Sequence, residues 1–272
     1  MHRKSLFLAQ LVFTLAVCLF MFLPIVLSIM AGFTTNYIRG FTSGVTTRWV
    51  WEVWNLYAET IFLSIMIALA CLAVTLVVGV PLAYCLAKAK HWSARLVEEL
   101  LVTPLAIPGL AIALGMIITY GGIREFRASW AFILVGHVLY TLPFMVRSVL
   151  AVMSSIDLKT LEEGAASLGA GFWYRFWTIA IPNARSGILA GALMVVTLSV
   201  GEFNITWMLH TPLTKTLPVG LADSYASMRI EIGSAYTTVF LVMIIPLLMA
   251  IQALAGPKVV RAKERPPRAF KK

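Results

Sequence analysis

Long apolar stretches without a charged side chain set the first limit on how this chain of 272 residues can fold. A bilayer hydrocarbon core of roughly 30 Å is crossed by about 20 apolar residues in an α-helix. Since 60% of the residues are hydrophobic and 12% are charged, a water-soluble globule is excluded. The sequence predicts an all-α, polytopic membrane protein with six transmembrane helices. The six windows lie near residues 6–31, 60–86, 100–120, 129–151, 186–209 and 234–256, with Arg147 and Glu202 as charged exceptions.

Basic residues outside these windows are distributed unequally between the two sides of the predicted membrane. The richer side carries both ends of the chain together with Lys88 and Lys159, and cytoplasmic loops are the ones that collect basic residues. We therefore predict that both termini lie in the cytoplasm. The net charge of +10 then reports topology, and no nucleic-acid partner is expected. The poorer side carries Arg39, Arg48, Arg124, Arg127, Lys215 and Arg229.

The longest polar segment on the predicted cytoplasmic side covers residues 152–185. Asp157 is suited to cap a helix, and Gly169 predicts the turn that ends it. A second amphipathic stretch follows over residues 172–179, and Pro182 would end it before the fifth window. The sequence therefore predicts two short helices that are joined by a glycine turn and project from the membrane.

No residue pattern in the chain is typical of catalysis or of metal binding. Gly164 and Gly169 have the spacing of a phosphate loop, but Ala170-Gly171 follows where Lys and Ser or Thr are required. The four histidines lie far apart without metal-ligand spacing, and the three cysteines all fall in predicted helices. We therefore expect no catalytic residue, no metal site and no cofactor in this chain, and we predict that it is not an enzyme.

A family resemblance rests on the spacing of the polar segment. Glu163-Gly164-Ala165 is followed by Gly169, then by nine residues and Ile179-Ala180-Ile181-Pro182. This spacing resembles the EAA loop of binding-protein-dependent ABC importer permeases, E-A-A-x-x-x-G-x(9)-I-x-L-P, with Gly164 and Ile181 as departures. The segments that resemble the same family, above all its spermidine/putrescine branch, are Gly79-Val80-Pro81-Leu82-Ala83-Tyr84, Pro104 with Pro108, and Thr216-Leu217-Pro218-Val219.

The resemblance implies a type I importer (MetI-like) permease fold in the bacterial inner membrane, with a cytoplasmic, EAA-type pair of coupling helices. It also implies two copies of a separate ATPase that binds ATP and Mg, and a homologous second permease rather than a second copy of this chain. A periplasmic or lipid-tethered solute-binding protein would deliver the solute to a pathway that works by alternating access. The residues expected to couple this chain to the ATPase are Glu162, Glu163, Gly164, Ala165, Gly169, Ile179, Ile181 and Pro182.

The windows and the resemblance together divide the chain into three segments. Residues 1–57 would form an N-terminal transmembrane helix and a periplasmic loop. Residues 58–256 would form the permease domain, with its coupling loop near residues 155–182. Residues 257–272 would form a basic cytoplasmic tail in contact with membrane lipid or with solvent.

Polar residues inside the fourth and fifth windows are candidates for the translocation path. An ionisable side chain in a membrane is costly, and it usually faces a cavity or a partner. The alternatives are structural, because Glu202 would cap or pair locally and His137 would make an interhelical hydrogen bond. The candidate path residues are Glu202, Asn204, His137, Tyr140 and Thr141.

A carboxylate in the path suits a small cation, and the resemblance to the polyamine branch then predicts spermidine or putrescine as the solute. Related branches use the same machinery for 2-aminoethylphosphonate, ferric iron or thiamine. The competing class is a self-sufficient secondary transporter or channel, which would need no spaced cytoplasmic motif. An intramembrane enzyme is disfavoured because no window offers a Ser-His pair or an acid dyad.

Overall fold

The computed structural model describes residues 2–89 and 91–255, and this part of the chain is almost entirely α-helical. Thr34 and Val45 form the one β-bridge within it, which belongs to no sheet. A 3₁₀ turn covers Gly40–Ser43 and a π-helical turn covers Phe176–Ala180. The α-helices of the described residues are α1 (His2–Ala31), α2 (Arg48–Lys88), α3 (Trp92–Ala106), α4 (Gly109–Tyr120), α5 (Arg124–Ala128), α6 (Trp130–Ser155), α7 (Leu158–Ser167), α8 (Phe172–Arg175), α9 (Ile181–Gly201), α10 (Asn204–Leu209), α11 (Leu217–Ala226) and α12 (Ile230–Ala255).

Four of these helices, α1, α2, α6 and α12, are long and apolar enough to cross a membrane. Two bent pairs add up to two further crossings: α3 with α4 at 103°, and Phe172–Asn183 with Arg185–Gly201 at 70°. The described residues therefore hold four to six candidate spans, and the prediction of an all-α, polytopic fold is confirmed. The predicted number of six is reached when each bent pair counts as one span.

The third predicted window, residues 100–120, is not one straight helix. Helix α3 ends at Ala106, Ile107 has extended backbone angles (φ −92°, ψ 129°), and Pro108 precedes α4. A proline has no N–H to donate, and its ring pushes the preceding residue out of the helical region. The chain therefore turns by 103° between α3 and α4, and the helix predicted over this window is broken into two.

The fifth predicted window, residues 186–209, is also broken. Helix α9 starts earlier, at Ile181, and ends at Gly201. Glu202 has extended backbone angles (φ −70°, ψ 121°), and the short helix α10 starts two residues later. Glu202 therefore lies at a helix break, and its predicted place within a continuous helix is wrong.

The centre of the described structure is the packing of α2, α6 and α9 against one another. A Cβ atom at Gly187 would lie 2.5 Å from the Ser148 carbonyl oxygen, and one at Gly191 would lie 2.7 Å from the Met145 sulfur. Helices α6 and α9 thus approach too closely for a side chain at either glycine. Such close contact over small residues is typical of helix pairs in membranes, where van der Waals packing drives association.

Helix α1 lies at the edge of this bundle. None of its apolar window from Leu6 onward is buried, and its main contacts are with α12. The backbone just after α1 lies very close to α12, because a Cβ at Gly32 would lie 2.8 Å from the Ala235 nitrogen. The apolar surface of α1 is therefore exposed in the single chain along nearly its whole length.

The predicted division into three segments can be compared with the bounds of the helices. The boundary proposed after residue 57 falls inside α2, at Tyr57, whose backbone angles are not helical (φ −127°, ψ 19°). The segment boundaries themselves stay predictions. The basic tail proposed over residues 257–272 lies outside the described residues.

Candidate functional site

The polar segment after α6 folds as predicted into a capped helix, α7, with a glycine turn behind it. Asp157 is its N-cap, and the Asp157 Oδ1 accepts a hydrogen bond of 3.2 Å from the Thr160 backbone N–H. Hydrogen bonding from the Thr160 side chain, together with this bond from its backbone N–H, holds the pKa of Asp157 below its usual range, so the capping carboxylate is ionised near pH 7. The capping role predicted for Asp157 is confirmed.

The glycine turn closes α7 with a Schellman motif. Gly169 has φ +84°, a left-handed conformation that a side chain disfavours. The Gly169 N–H donates to the Ala166 carbonyl oxygen at 2.9 Å, and the Ala170 N–H donates to the Ala165 carbonyl oxygen at 3.0 Å. These bonds satisfy carbonyl groups that the helix end leaves unpaired. The predicted turn at Gly169 is therefore confirmed, and it has a conformational reason.

The second predicted short helix, residues 172–179, is not separate. Helix α8 runs through the π-helical turn directly into α9, and Pro182 lies in the first turn of α9. Proline is tolerated there because the first N–H groups of a helix have no intrahelical partner. The prediction that Pro182 ends the stretch is wrong, because the 70° bend follows at residue 184, after Asn183.

The two neighbouring glutamates of α7 have opposite surroundings. The Glu163 side chain is 65% exposed and lies 3.4 Å from Lys159 in a surface ion pair. The Glu162 side chain is 4% exposed and points into the protein. Among the other predicted coupling residues, Gly164, Gly169 and Pro182 are exposed, whereas Ala165, Ile179 and Ile181 are half-buried.

Glu162 is held by two side chains from the last turn of α2, and we name Glu162, Tyr84 and Lys88 the Glu162 cluster. The Tyr84 hydroxyl donates to Glu162 Oε1 at 2.6 Å, and Lys88 Nζ donates to Glu162 Oε2 at 2.6 Å. Lys88 Nζ also donates to the Tyr84 hydroxyl oxygen at 2.9 Å. Burial opposes ionisation of Glu162, but these donors outweigh it, and the pKa of Glu162 lies below its usual value.

Aromatic rings enclose the Glu162 cluster from the α8 side. The Tyr84 ring meets Phe172 and Phe176 edge to face, with ring centroids 6.0 and 5.1 Å apart. Phe176 and Tyr84 also belong to the main buried core, together with Leu158 of α7. The buried Glu162 carboxylate is therefore surrounded by apolar packing, which strengthens its hydrogen bonds, whereas the Lys88 side chain stays 41% exposed.

Sequence analysis did not predict the partners of Glu162. Lys88 entered only as a topology signal, and Tyr84 only as part of a family segment. Two weak signals were present, because Tyr84 and Lys88 are four residues apart at a helix end, and so are Leu158 and Glu162. Neither spacing states that the two helices meet.

The predicted path residues differ in how far they are exposed. His137, Thr141 and Glu202 are buried, Tyr140 is half-buried against Phe144, and Asn204 is exposed. Their role in a translocation path stays a prediction.

His137 joins α6 to α9 and α10 through short hydrogen bonds. His137 Nδ1 lies 2.8 Å from Ser199 Oγ, and His137 Nε2 lies 2.8 Å from Thr206 Oγ1. The same Nε2 atom is 3.8 Å from a Glu202 oxygen. Both ring nitrogens of His137 thus have protein partners, so the imidazole contributes an interhelical contact.

Glu202 acts as a cap for α10. One carboxylate oxygen accepts from the Ile205 N–H at 2.9 Å, and the other accepts from the Thr206 N–H at 2.9 Å. A carboxylate at a helix N-terminus is favoured both by these unpaired N–H groups and by the helix dipole. Both oxygens of Glu202 are therefore engaged by the protein backbone at the point where α9 breaks.

The described residues hold no group of three or more His, Cys, Asp or Glu side chains that could ligate a metal. The bundle of long apolar helices defines a polytopic membrane protein, and the capped polar helix α7 lies outside its candidate spans. The chain belongs to the family of binding-protein-dependent transport system inner membrane components. The model of this family matches residues 76–261.

Three relatives show how widely that similarity extends. The sulfate transport system permease protein CysW of Synechocystis is 27% identical over 189 residues, covering 64% of this chain and 68% of CysW. The molybdenum transport system permease protein ModB of Escherichia coli K12 is 27% identical over 192 residues, covering 65% of this chain and 83% of ModB. PhnV of Salmonella typhimurium, provisionally named a 2-aminoethylphosphonate transport system permease protein, is 24% identical over 238 residues, covering 87% and 89%.

One solved structure has the same fold. It is a bacterial ABC transporter involved in the import of the acidic polysaccharide alginate, and one of its chains superposes with a TM-score of 0.69 at 16% identity. The match covers 93% of this chain and 96% of the other. The predicted importer permease fold is confirmed, and the chain is the permease subunit of a binding-protein-dependent ABC importer.

Proposed function

We propose that this chain docks on a separate ATPase through α7 and converts ATP-driven closure of that ATPase into alternating access of its membrane helices. The two-faced character of α7 carries the proposal. Leu158 and Glu162 are buried against the bundle, whereas Glu163 and Leu168 are exposed, with Leu168 at 89%. A short helix that presents an apolar and acidic face to solvent fits a groove on a partner protein.

The partners follow from the family. Two ATPase copies would bind ATP and Mg beneath the bundle, a homologous second permease would complete the pathway, and an external binding protein would deliver the solute. The end of the bundle that carries α7 would face the cytoplasm, which agrees with the distribution of basic residues. The chain itself would hydrolyse nothing, because its phosphate-loop spacing lacks the Lys and the Ser or Thr.

We propose a small oxyanion as the solute. Sulfate, molybdenum and 2-aminoethylphosphonate stand in the names of the three relatives, and none of these names refers to a polyamine. The argument for a cation rested on Glu202, whose two oxygens already accept backbone N–H groups. Spermidine or putrescine is therefore the second candidate.

A binding assay on the partner distinguishes these solutes. The binding protein encoded beside this chain is expected to gain thermal stability with sulfate, molybdate or 2-aminoethylphosphonate, because ligand binding stabilises the folded state by mass action. A shift with spermidine alone would contradict the oxyanion proposal.

Reconstitution tests the docking role and the competing transporter class. In proteoliposomes that hold both permeases and the ATPase, we expect import to require ATP and the binding protein. The Glu163→Lys variant is expected to lose ATPase binding while it stays in the membrane, because it reverses the charge on the exposed face of α7. Uptake driven by an ion gradient without ATP would instead indicate a secondary transporter.

A further inference from the structure

We propose that the Glu162 cluster is the joint through which a displacement of α7 moves α2, so that Tyr84 and Lys88 are positioning residues that fix how much solute is imported for each ATP hydrolysed. The inference rests on the proposed docking of α7 to an ATPase. It goes beyond docking, because docking concerns the outer face of α7 and this joint concerns its inner face.

Helix α7 has few other attachments to the bundle. Of its ten residues, all of which the structure describes, Leu158 and Glu162 are the buried ones. Leu158 sits at the first position of the helix, beside the connection to α6, and Glu162 lies one turn further along. Helix α7 also packs against α8 and the π-helical turn, but its hydrogen-bonded connection to α2 is made by the Glu162 side chain.

The connections at both ends of α7 favour a helix that moves as a unit. Ile156 before it is extended (φ −108°, ψ 152°), and Gly169 after it adopts the left-handed conformation. Gly169 makes no contact within 4 Å of the position that a Cβ would occupy. Neither connection continues the helix, so the chain on its own transmits little torque from α7 to α6 or α8.

Helix α2 is well placed to receive the displacement. Its last turn carries both Tyr84 and Lys88, and its length packs against α6, α9 and α12. A Cβ at Gly79 would lie 2.9 Å from the Met145 side chain, so α2 and α6 are in tight contact one to two turns from the cluster. A shift at the end of α2 is therefore carried into the centre of the bundle, since packed interiors transmit strain.

The charges and short hydrogen bonds of the Glu162 cluster fix the position of α7 relative to α2 more firmly than an apolar contact would. An apolar contact would let α7 slide, whereas Glu162 has a directed bond from each of two donors, both 2.6 Å long. The Lys88 side chain is 41% exposed, and its Nζ lies 4.8 Å from the centroid of the Tyr84 ring. The Lys88 ammonium therefore stays near solvent, and its pairing with Glu162 costs little desolvation. The hydrogen bonds of the joint are therefore well directed, while their contribution to the free energy of unfolding is modest.

The test measures import per ATP hydrolysed in proteoliposomes that contain the complete transporter and its binding protein. Glu162→Gln and Lys88→Met are expected to lower that ratio about tenfold, within the range of roughly 5- to 150-fold that coupling between sites typically spans, while basal ATP hydrolysis persists. Lys88→Arg restores a donor at the same place and is expected to recover most of the ratio. Lys215→Met is the matched control, because Lys215 also pairs with a carboxylate, that of Asp223, and is 32% exposed, but it lies outside both α7 and the Glu162 cluster.

The outcomes separate the joint from the function on which it rests. If the wild-type transporter shows no ATP-dependent import, the proposed function fails. If the wild type imports and Glu162→Gln and Lys88→Met keep its ratio of import to ATP hydrolysis, the joint is refuted. Should Glu162→Gln fail to reach the membrane, Lys88→Met against Lys88→Arg decides, since equal ratios in that pair also refute it.

Discussion

Glu162 and Glu202, the two buried glutamates among the residues that the structure describes, show how the same side chain serves a moving part and a fixed one. Glu162 joins two helices and is held by side chains 78 and 74 residues away in sequence. Glu202 closes a helix break and is held by backbone N–H groups three and four residues ahead. One contact depends on where a neighbouring helix lies, and the other is made within a single turn.

The difference lies in what each carboxylate would leave behind if it were removed. Without Glu202, the buried N–H groups of Ile205 and Thr206 would lose their hydrogen-bond acceptor, because α10 holds them in place. Without Glu162, the Lys88 ammonium can turn toward solvent, since 41% of its side chain is exposed. We therefore expect Glu202 to matter most for stability and Glu162 to matter most for coupling.

The largest expected effect on stability comes from Glu202→Leu. Each unsatisfied buried donor costs about 1–3 kcal/mol, so the two N–H groups together predict a loss of about 2–6 kcal/mol. Thermal unfolding in detergent, with Glu163→Leu as the exposed control, measures it. A Glu202→Leu protein as stable as the control would show that the cap carries no weight.

The pH dependence of the Glu162 cluster is expected to be the next largest effect. Because the pKa of Glu162 is depressed in the folded protein, the cluster contributes fully at pH 7, above the ordinary value of 4.5. The contribution is lost as the pH falls through the depressed pKa. The stability difference between wild type and Glu162→Gln should therefore shrink below about pH 4. A constant difference from pH 7 to pH 3 would mean that Glu162 is not ionised in the fold.

A smaller effect is predicted for Tyr84→Phe. The change removes the hydroxyl that donates to Glu162 at 2.6 Å and keeps the ring between Phe172 and Phe176. A hydrogen bond to a charged group contributes about 1.5–3 kcal/mol at most, and Lys88 retains the stronger contact. We expect about 1 kcal/mol less stability and a partial loss of coupling. An import ratio as low as that of Lys88→Met would assign the joint to the tyrosine instead.

The smallest effect concerns Gly164, where the family pattern has alanine. No atom lies within 4 Å of the position that a Cβ would take, and the residue is helical. Replacing glycine by alanine in a helix stabilises by about 0.5–1 kcal/mol. Gly164→Ala should therefore raise the unfolding temperature slightly and leave import intact. A destabilised variant would indicate that α7 changes shape at this glycine.

Local features of both regions were predictable from sequence, and the reason is that their causes are local. The Asp157 cap and the Gly169 turn follow from side-chain and backbone chemistry over a few residues. The helix number follows from hydrophobic length. The spacing of the coupling loop is likewise contained in one segment, and it led to the family.

Features that depend on a second segment were not predictable. The pairing of Glu162 with Lys88 needs the end of α2 to lie beside α7, which no spacing within either helix states. The 103° turn at Ile107 and Pro108 exceeds what proline alone imposes on a helix. Glu202 was visible as a charge in an apolar window, but the break after Gly201 that makes it a cap was not.

The most direct test of this contrast is a side-by-side comparison of Glu162→Gln and Glu202→Gln in the complete transporter. Each variant is measured for import per ATP hydrolysed and for thermal stability. We predict that Glu162→Gln loses coupling about tenfold and is destabilised less than Glu202→Gln, whereas a folded Glu202→Gln keeps the wild-type ratio and has the lower unfolding temperature of the two variants. Loss of coupling in Glu202→Gln together with a wild-type ratio in Glu162→Gln would contradict the account and place the moving contact at the other glutamate.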